Sequence, residues 1–295
     1  MPQVAANGIH LEYESFGAVS DPAVILIMGL GAQLTRWPVP FCEALAARGF
    51  RVIRFDNRDV GLSTKFNAEP VPRIASIIAA RMAGMKPQVP YTLHDMAADT
   101  VGLMDALDIA RAHIAGVSMG GMIAQLVAAD YPQRVLSLTS IMSTSGSPSL
   151  PPPTPAAAAT LISRAPHPDN LAAYVQHVLG VMRVVASPAA PFNEKALRER
   201  ITRDVQRSYS PEGYGRQLAA VTATGDRSAS LRRIKAPTVV VHGAEDPLLP
   251  VAAGIHTADL IPGAELRIVR GMGHDMPPMF YDVVIGAIVS AAQRA

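Results

Sequence analysis

The sequence predicts an α/β fold: a mostly parallel central sheet with helices on both faces, interrupted by an inserted block of helices. Three observations carry that prediction. Apolar runs of strand length alternate with helical runs over most of the chain, the pattern of a parallel sheet wrapped on both sides. The stretch Gly116-Val117-Ser118-Met119-Gly120 closes one apolar run and opens a helical one. The rhythm then breaks after Ser143 at a proline-rich hinge, residues 145–155, and strand-like runs resume only at Pro237.

The elements follow in order. Residues 9–16 alternate like a half-exposed strand, whereas 23–28 are continuously apolar, as a strand buried on both faces should be. Residues 41–48 read as a helix closing on Gly49, a suitable C-cap, and 51–56 as the next strand. An excursion at 66–90 contains a short, very apolar helix at 74–82. Packing against the body or the insertion is its plain reading; an entrance wall, a homodimer contact or weak membrane association are the sharper ones. A helix at 93–107 leads to a strand at 112–115, then a helix at 121–128 that stops near Tyr131-Pro132, then a strand at 135–142. Beyond the hinge, 170–185 and 193–208 are helical, with helical material through about Ala223. Strands return at 237–241 and 264–269, and 283–292 form a closing helix. The expected division is a core of 1–146 and 232–295 with a helical cap of 147–231, since the sheet is incomplete without the strands that follow.

Composition bounds the function. With 295 residues, 49% of them apolar and 17% charged, the chain has the makings of a large packed core rather than a disordered one. A net charge of +2 without any Lys/Arg block gives no handle for nucleic acid. Cys42 is the single cysteine, so no intramolecular disulfide forms, and a reducing, cytoplasmic compartment is expected. The N-terminus lacks a signal-peptide pattern and no apolar run reaches spanning length, so no stable membrane insertion is expected.

Ser118 is the natural nucleophile. A serine on a sharp strand-to-helix turn has its hydroxyl exposed, and small flanking residues let the two backbones approach. A serine hydroxyl is a weak nucleophile at neutral pH, so it needs a base, and the base needs an orienting acid. In such a sheet the partners belong just after other strands. Asp246 follows the 237–241 strand in a loop marked by Gly243 and Pro247, and His274 follows the last strand within Gly271-Met272-Gly273-His274-Asp275. Rivals are weaker. Glu245 sits one place nearer its strand, and Asp56 and Asp59 are expected to brace loops through Arg54 or Arg58. The loop after 135–142 offers only Ser143-Thr144-Ser145 and no carboxylate. His10, His94 and His113 lie in or beside predicted elements; His167, His177 and His256 lie in helical or cap segments; and His242 lies on the strand before its loop.

The order Ser118, Asp246, His274, each after a strand, resembles the α/β-hydrolase fold over almost the whole chain. The segments Met28-Gly29-Leu30-Gly31 with Trp37, and residues 54–63, look like the branch of aclacinomycin methylesterase-like carboxylesterases. The resemblance implies an oxyanion hole from the backbone N–H groups of Met119 and Leu30, with Met28-Gly29 standing where the family often has His-Gly. It implies cofactor-free hydrolysis of a small-molecule ester. Met28, Met119, Met142, Met272 and Met276 fall near the predicted catalytic face, where Met28, Met142 and Met272 are candidates for a pliable acyl pocket. Few charges are assigned to that pocket, so neutral, hydrophobic, small-to-medium esters are expected. Arg183, Arg203 and Arg207 in the cap are able to hold an acid group, but a solvated helix face is their plainer reading.

The same three residues can serve lactone hydrolysis, perhydrolysis of the cofactor-free haloperoxidase type, acyl transfer or C–C bond hydrolysis. A non-catalytic small-molecule binding protein on this fold is the alternative of another class. No metal-binding motif or phosphate loop is present in the sequence.

Overall fold

A computed structural model of the protein describes residues 2–295. The chain opens with β1 (Gln3–Ala6), β2 (Ile9–Phe16) and β3 (Ala23–Ile27), then α1 (Val39–Ala46), β4 (Arg51–Phe55), α2 (Ile74–Met82) and α3 (Leu93–Ala106). It continues through β5 (Ala112–Val117), α4 (Met119–Asp130) and β6 (Val135–Ile141). Between β6 and β7 the chain is helical: α5 (Pro155–Ile162), α6 (Leu171–Val185), α7 (Glu194–Arg207), α8 (Pro211–Thr224) and α9 (Ser228–Leu231). β7 (Thr238–Gly243), α10 (Val251–Leu260), β8 (Glu265–Val269) and α11 (Tyr281–Ala292) complete it. The short β1 and the helix α10 have no counterpart in the sequence reading.

The eight strands form one sheet in the order β1-β2-β4-β3-β5-β6-β7-β8. β2 runs antiparallel to β1 and to β4, and every other pair is parallel. The central strands are uniformly buried because both faces are covered. Ile25 and Ile27 of β3 pack with α3 and α4, while Val24 and Leu26 pack with Phe41 and Leu45 of α1 and Val284 and Ile288 of α11. That two-sided burial is why β3 reads as an unbroken apolar run.

Topology places the site. After β3 the chain crosses to β4 on one side, then returns to β5 on the other, so β3 and β5 flank the point where the strand order reverses. Loops leaving the carboxyl ends of two such strands diverge and leave a crevice. The register Ile27↔Gly116 sets the loop after β3 beside the turn after β5. Of the inserted helices, α6 and α7 share a small apolar cluster of Val175, Leu179 and Ile201. α8 is instead tied to the loop after β4, as described below. α2 packs on α8 through buried Ile77 and the Arg81 bond to the Thr222 carbonyl, and leaves Ile78 and Met82 exposed.

Candidate active site

Ser118 is the one residue between β5 and α4, and it takes φ 56° and ψ −120°. A non-glycine residue held there costs about 1–3 kcal/mol, so the surroundings must fix it. Its N–H donates to the Ile141 carbonyl (2.9 Å), and its own carbonyl accepts from the Met122 N–H (3.1 Å) and the Ser143 hydroxyl (2.9 Å). The glycines around it serve close approach, since neither Gly116 nor Gly120 has a positive φ. A Cβ on Gly116 would strike the Gly120 carbonyl, and one on Gly120 the Ile27 carbonyl.

The Ser118 Oγ lies 3.0 Å from His274 Nε2, and His274 Nδ1 lies 2.7 Å from Asp246 Oδ2. The other Asp246 oxygen accepts from the N–H groups of Leu248 (2.9 Å) and Leu249 (2.8 Å), the pattern of an ionised, acceptor-only carboxylate. His274 Nδ1 therefore carries the proton, which leaves Nε2 as the acceptor facing the serine hydroxyl. The histidine loop is secured from the inserted segment. The His274 N–H donates to the Val185 carbonyl (2.8 Å), and the Gly273 N–H to Ser187 Oγ (2.9 Å). Asp275 in turn accepts from the Ser187 N–H (2.9 Å) and hydroxyl.

His242 lies closer to this group than its place on the strand indicated. It is fully buried, with Nε2 2.7 Å from the Leu249 carbonyl and 3.6 Å from Asp246 Oδ2. The carbonyl can only accept, so Nε2 bears the proton; burial holds the ring pKa below its ordinary value and the ring stays neutral. Glu245, the rival acid, faces elsewhere and accepts from the Gly271 N–H at 2.6 Å. His113 is a packed histidine, bonded to Ser137 at 2.8 Å and edge-on to Phe50. His94 pairs with Asp130 and His256 with Ser145, both at 2.9 Å.

The loop after β3 runs against the elbow: a Cβ on Gly29 would stand 3.3 Å from Ser118 Cβ. Among the described residues, the N–H groups of Leu30 and Met119 have no acceptor. The loop itself is pinned at three points. Asn57 Nδ2 donates to the Met28 carbonyl (2.9 Å), the Gly31 N–H donates to Gln217 Oε1 (2.8 Å), and the Leu34 N–H donates to Asp56 Oδ1 (2.7 Å). Gly31 has φ +64°, and a Cβ there would meet the Tyr214 ring of α8 at 2.5 Å. Gln217, Ser187 and Tyr214 have no place in the sequence reading, and Asn57 enters it only within the 54–63 segment.

Asp56 and Asp59 pair differently from the expectation. Asp56 binds Arg207 (2.7 Å) and Asp59 binds Arg216 (2.8 Å), whereas Arg54 takes Glu14 and Arg58 takes Asp99 (2.6 Å). The reason is reach: the loop turns away from its own strand toward α7 and α8, whose arginines descend from the inserted segment. Arg207 is thus no solvated residue, though Arg183 is, paired with Glu194 at 2.9 Å and stacked on Phe192. Met28, Met142 and Met272 all lie in the buried cluster shared with α1 and α11, and Met119 in the cluster on the opposite face. Of the methionines near the strand ends, Met276 lines a cavity of about 700 Å³ beside the histidine loop.

Known proteins of several activities resemble the chain. It is 27% identical to the rhodomycin D methylesterase DauP of Streptomyces sp. (strain C5), over 99% of this chain and 98% of that protein. It is 30% identical to a 2-hydroxy-6-oxononadienedioate/2-hydroxy-6-oxononatrienedioate hydrolase of Cupriavidus pinatubonensis, over 85% of this chain and 80% of that protein. The enol-lactonase from Burkholderia xenovorans LB400 superposes with a TM-score of 0.75 at 25% identity, covering 99% of this chain and all of that one. Residues 22–277, from the first parallel strand to just past the histidine loop, match the alpha/beta hydrolase fold family, and the chain belongs to it.

Proposed function

We propose that the chain is a serine carboxylesterase that cleaves hydrophobic carboxylic esters through an acyl-enzyme on Ser118. The observation that carries this reading is the Ser118–His274–Asp246 relay, at 3.0 and 2.7 Å, presented on a strained turn. Ester hydrolysis is also the activity that the family and its methylesterase and hydrolase relatives support.

His274 Nε2 takes the Ser118 proton as Oγ attacks the ester carbonyl carbon, and the carbonyl electron pair moves onto oxygen. The N–H groups of Leu30 and Met119 hold that oxyanion. His274 then returns the proton to the leaving alkoxide as the C–O bond breaks. Water, deprotonated by the same ring, attacks the acyl carbon; Ser118 recovers its proton and the acid departs. Asp246 fixes the ring's tautomer and stabilises its charged form throughout. Residues 147–231 act as the cap that shapes the substrate space. Methyl esters are the first substrates to try, given the rhodomycin D methylesterase relatives.

The test is stoichiometric labelling of Ser118 by a fluorophosphonate, alongside a panel of p-nitrophenyl esters, methyl esters and lactones. Wild-type turnover with loss of both labelling and turnover in Ser118→Ala is the expected result. A folded wild-type protein that neither labels nor turns over any ester would overturn the reading. Faster turnover of lactones than of matched open-chain esters would move the assignment to lactone hydrolysis.

A further inference from the structure

The cavity beside the histidine loop has unusual chemistry for a site expected to be neutral. One wall is apolar: Pro38 and Val39 at the start of α1, with Met276, Pro277 and Tyr281 after His274. The facing wall is α7, where Arg200, Arg203, Asp204 and Arg207 recur at helical spacing on one side. Most charges here are spoken for. Asp204 binds Arg36 (2.7 Å), Arg207 binds Asp56 (2.7 Å), Arg54 binds Glu14, and Asp275 is held by Ser187. The side chains of Arg200 and Arg203 make no hydrogen bond or ion pair within the described residues, and the Arg200 Nε is buried without an acceptor. Burial, with the nearby Arg36 charge, pulls the Arg200 pKa down to about 10, so the guanidinium remains charged at neutral pH. A buried donor without an acceptor is costly to keep, and a planar guanidinium fork matches a carboxylate.

We propose that this cavity is a carboxylate-binding site, in which Arg200, with Arg203, holds the carboxylate of an organic acid whose apolar body lies against Pro38, Val39 and Tyr281. Neither Ser118 nor His274 lines the cavity, but Asp275 and Met276 do, so the ligand sits next to the catalytic histidine's own loop. The choice of an organic acid rests on the ester-hydrolase reading, because that reaction releases one. The carboxylate has two sources: a free acid such as the product, or a second acid group carried by the ester substrate.

The experiment measures octanoate binding by calorimetry to Ser118→Ala protein, with and without Arg200→Gln or Arg203→Gln. Binding that weakens about tenfold to a hundredfold in Arg200→Gln, the loss expected for one charge-assisted pair, supports the site. Arg203→Gln provides the second variant should Arg200→Gln lower the thermal midpoint. Octanoate that fails to bind, or binds equally well to both variants, overturns the proposal. So does inorganic phosphate competing as well as octanoate, since the apolar wall would then be idle. Kinetics identify the source. A tenfold loss of kcat/KM in Arg200→Gln for monomethyl suberate but not for methyl octanoate assigns the carboxylate to the substrate. Equal kcat/KM losses or none, with octanoate binding still lost, assign it to the free acid. Absence of all ester turnover in the wild type would count against the Ser118 mechanism and leave the calorimetry standing.

Discussion

Gln217 should control catalysis without touching substrate. It is fully buried on α8, accepts from the Gly31 N–H at 2.8 Å and donates to the Arg58 carbonyl at 2.7 Å. Gly31 adjoins Leu30, whose N–H is one of the two proposed oxyanion donors. Gln217→Ala strips the partner from the buried Arg58 carbonyl, at about 1–3 kcal/mol, and from the part-buried Gly31 N–H, at less, so a loss of about 2–4 kcal/mol in stability is expected. Gln217→Met fills the space without either bond and separates packing from hydrogen bonding. The loop is loosened rather than deleted, so kcat should fall about tenfold to a hundredfold, short of the roughly 10²–10³ seen when an oxyanion donor is removed outright. KM should stay within about threefold, because the ground-state carbonyl uses the donors less than the oxyanion does. Steady-state kinetics on p-nitrophenyl butyrate give both constants, and urea unfolding gives stability. A boronic acid that forms a tetrahedral adduct on Ser118 should bind more weakly by the same factor as kcat falls. If Gln217→Met loses stability but keeps wild-type kcat and boronate affinity, the link from α8 to the oxyanion loop is refuted.

Three further outcomes are expected. Arg216→Met leaves Asp59 uncompensated at a site where both side chains are fully buried, and should cost about 3–5 kcal/mol by urea unfolding at pH 7.5. Burial alone would raise the Asp59 carboxyl, but bonds from Arg216, Tyr91 and Phe66 hold it below the ordinary range; the pair's contribution is therefore present above about pH 4 and lost as pH falls through the folded value. In the variant Asp59 can escape by taking a proton, so the penalty should shrink between pH 7.5 and pH 5, and a constant penalty would count against a charge effect. Burial, then the Arg111 charge, lowers the His113 pKa from 6.5 to about 4, so the unfolded chain takes up that proton first. Its contribution is complete above about pH 6.5 and lost progressively toward pH 4; between pH 7 and 5 it amounts to about 2 kcal/mol, and His113→Gln should flatten the stability profile by that amount. Gly120→Ala drives a Cβ into the Ile27 backbone carbonyl, so circular dichroism should show a lowered melting midpoint or no folded protein, whereas an unshifted midpoint would show that the elbow tolerates the methyl.

How much of the site can be read in the sequence depends on how local its signal is. Ser118 announces itself because the constraint is met within five residues: Gly116 and Gly120 press on each other across the turn. Asp246 and His274 are legible as polar residues just past strand ends, and the geometry sets them within hydrogen-bonding distance of one another and, through His274, of Ser118. The supporting residues are not legible, because their partners are distant in the chain and polar residues on a helix look like any solvated face. Gln217 meets Gly31, and Arg207 meets Asp56, only after β3, β4 and two inserted helices have all been placed. Charge pairing is illegible for a related reason. Arg54 and Arg58 are close to Asp56 and Asp59 in sequence, but β4 ends at Phe55 and the chain then turns, with Asp59 at φ 70°, so these sequence neighbours face different parts of the molecule. β1 is not legible because a four-residue edge strand, half of it exposed, carries almost no apolar pattern.

The loop after β4 makes sense once each residue's partner is known. Asp56 holds Arg207 of α7 and the Leu34 N–H; Asn57 holds the Met28 carbonyl; Arg58 holds Asp99 of α3; Asp59 holds Arg216 of α8 and Tyr91. Four consecutive residues thus bind four different parts of the molecule, two of them inserted helices and one the proposed oxyanion loop. Buried ion pairs are a poor source of net stability, because desolvation offsets most of the attraction, but they tolerate little displacement. An apolar loop of equal volume would bury as much surface and leave α7 and α8 free to slide. The charges instead fix how the inserted helices sit over the crevice, and the same loop fixes the backbone that would receive the oxyanion. The positions of α7 and α8 are therefore mechanically joined to the proposed donor at Leu30, and substitutions at 56–59 should change kcat even though none of these side chains takes part in the Ser118–His274–Asp246 relay.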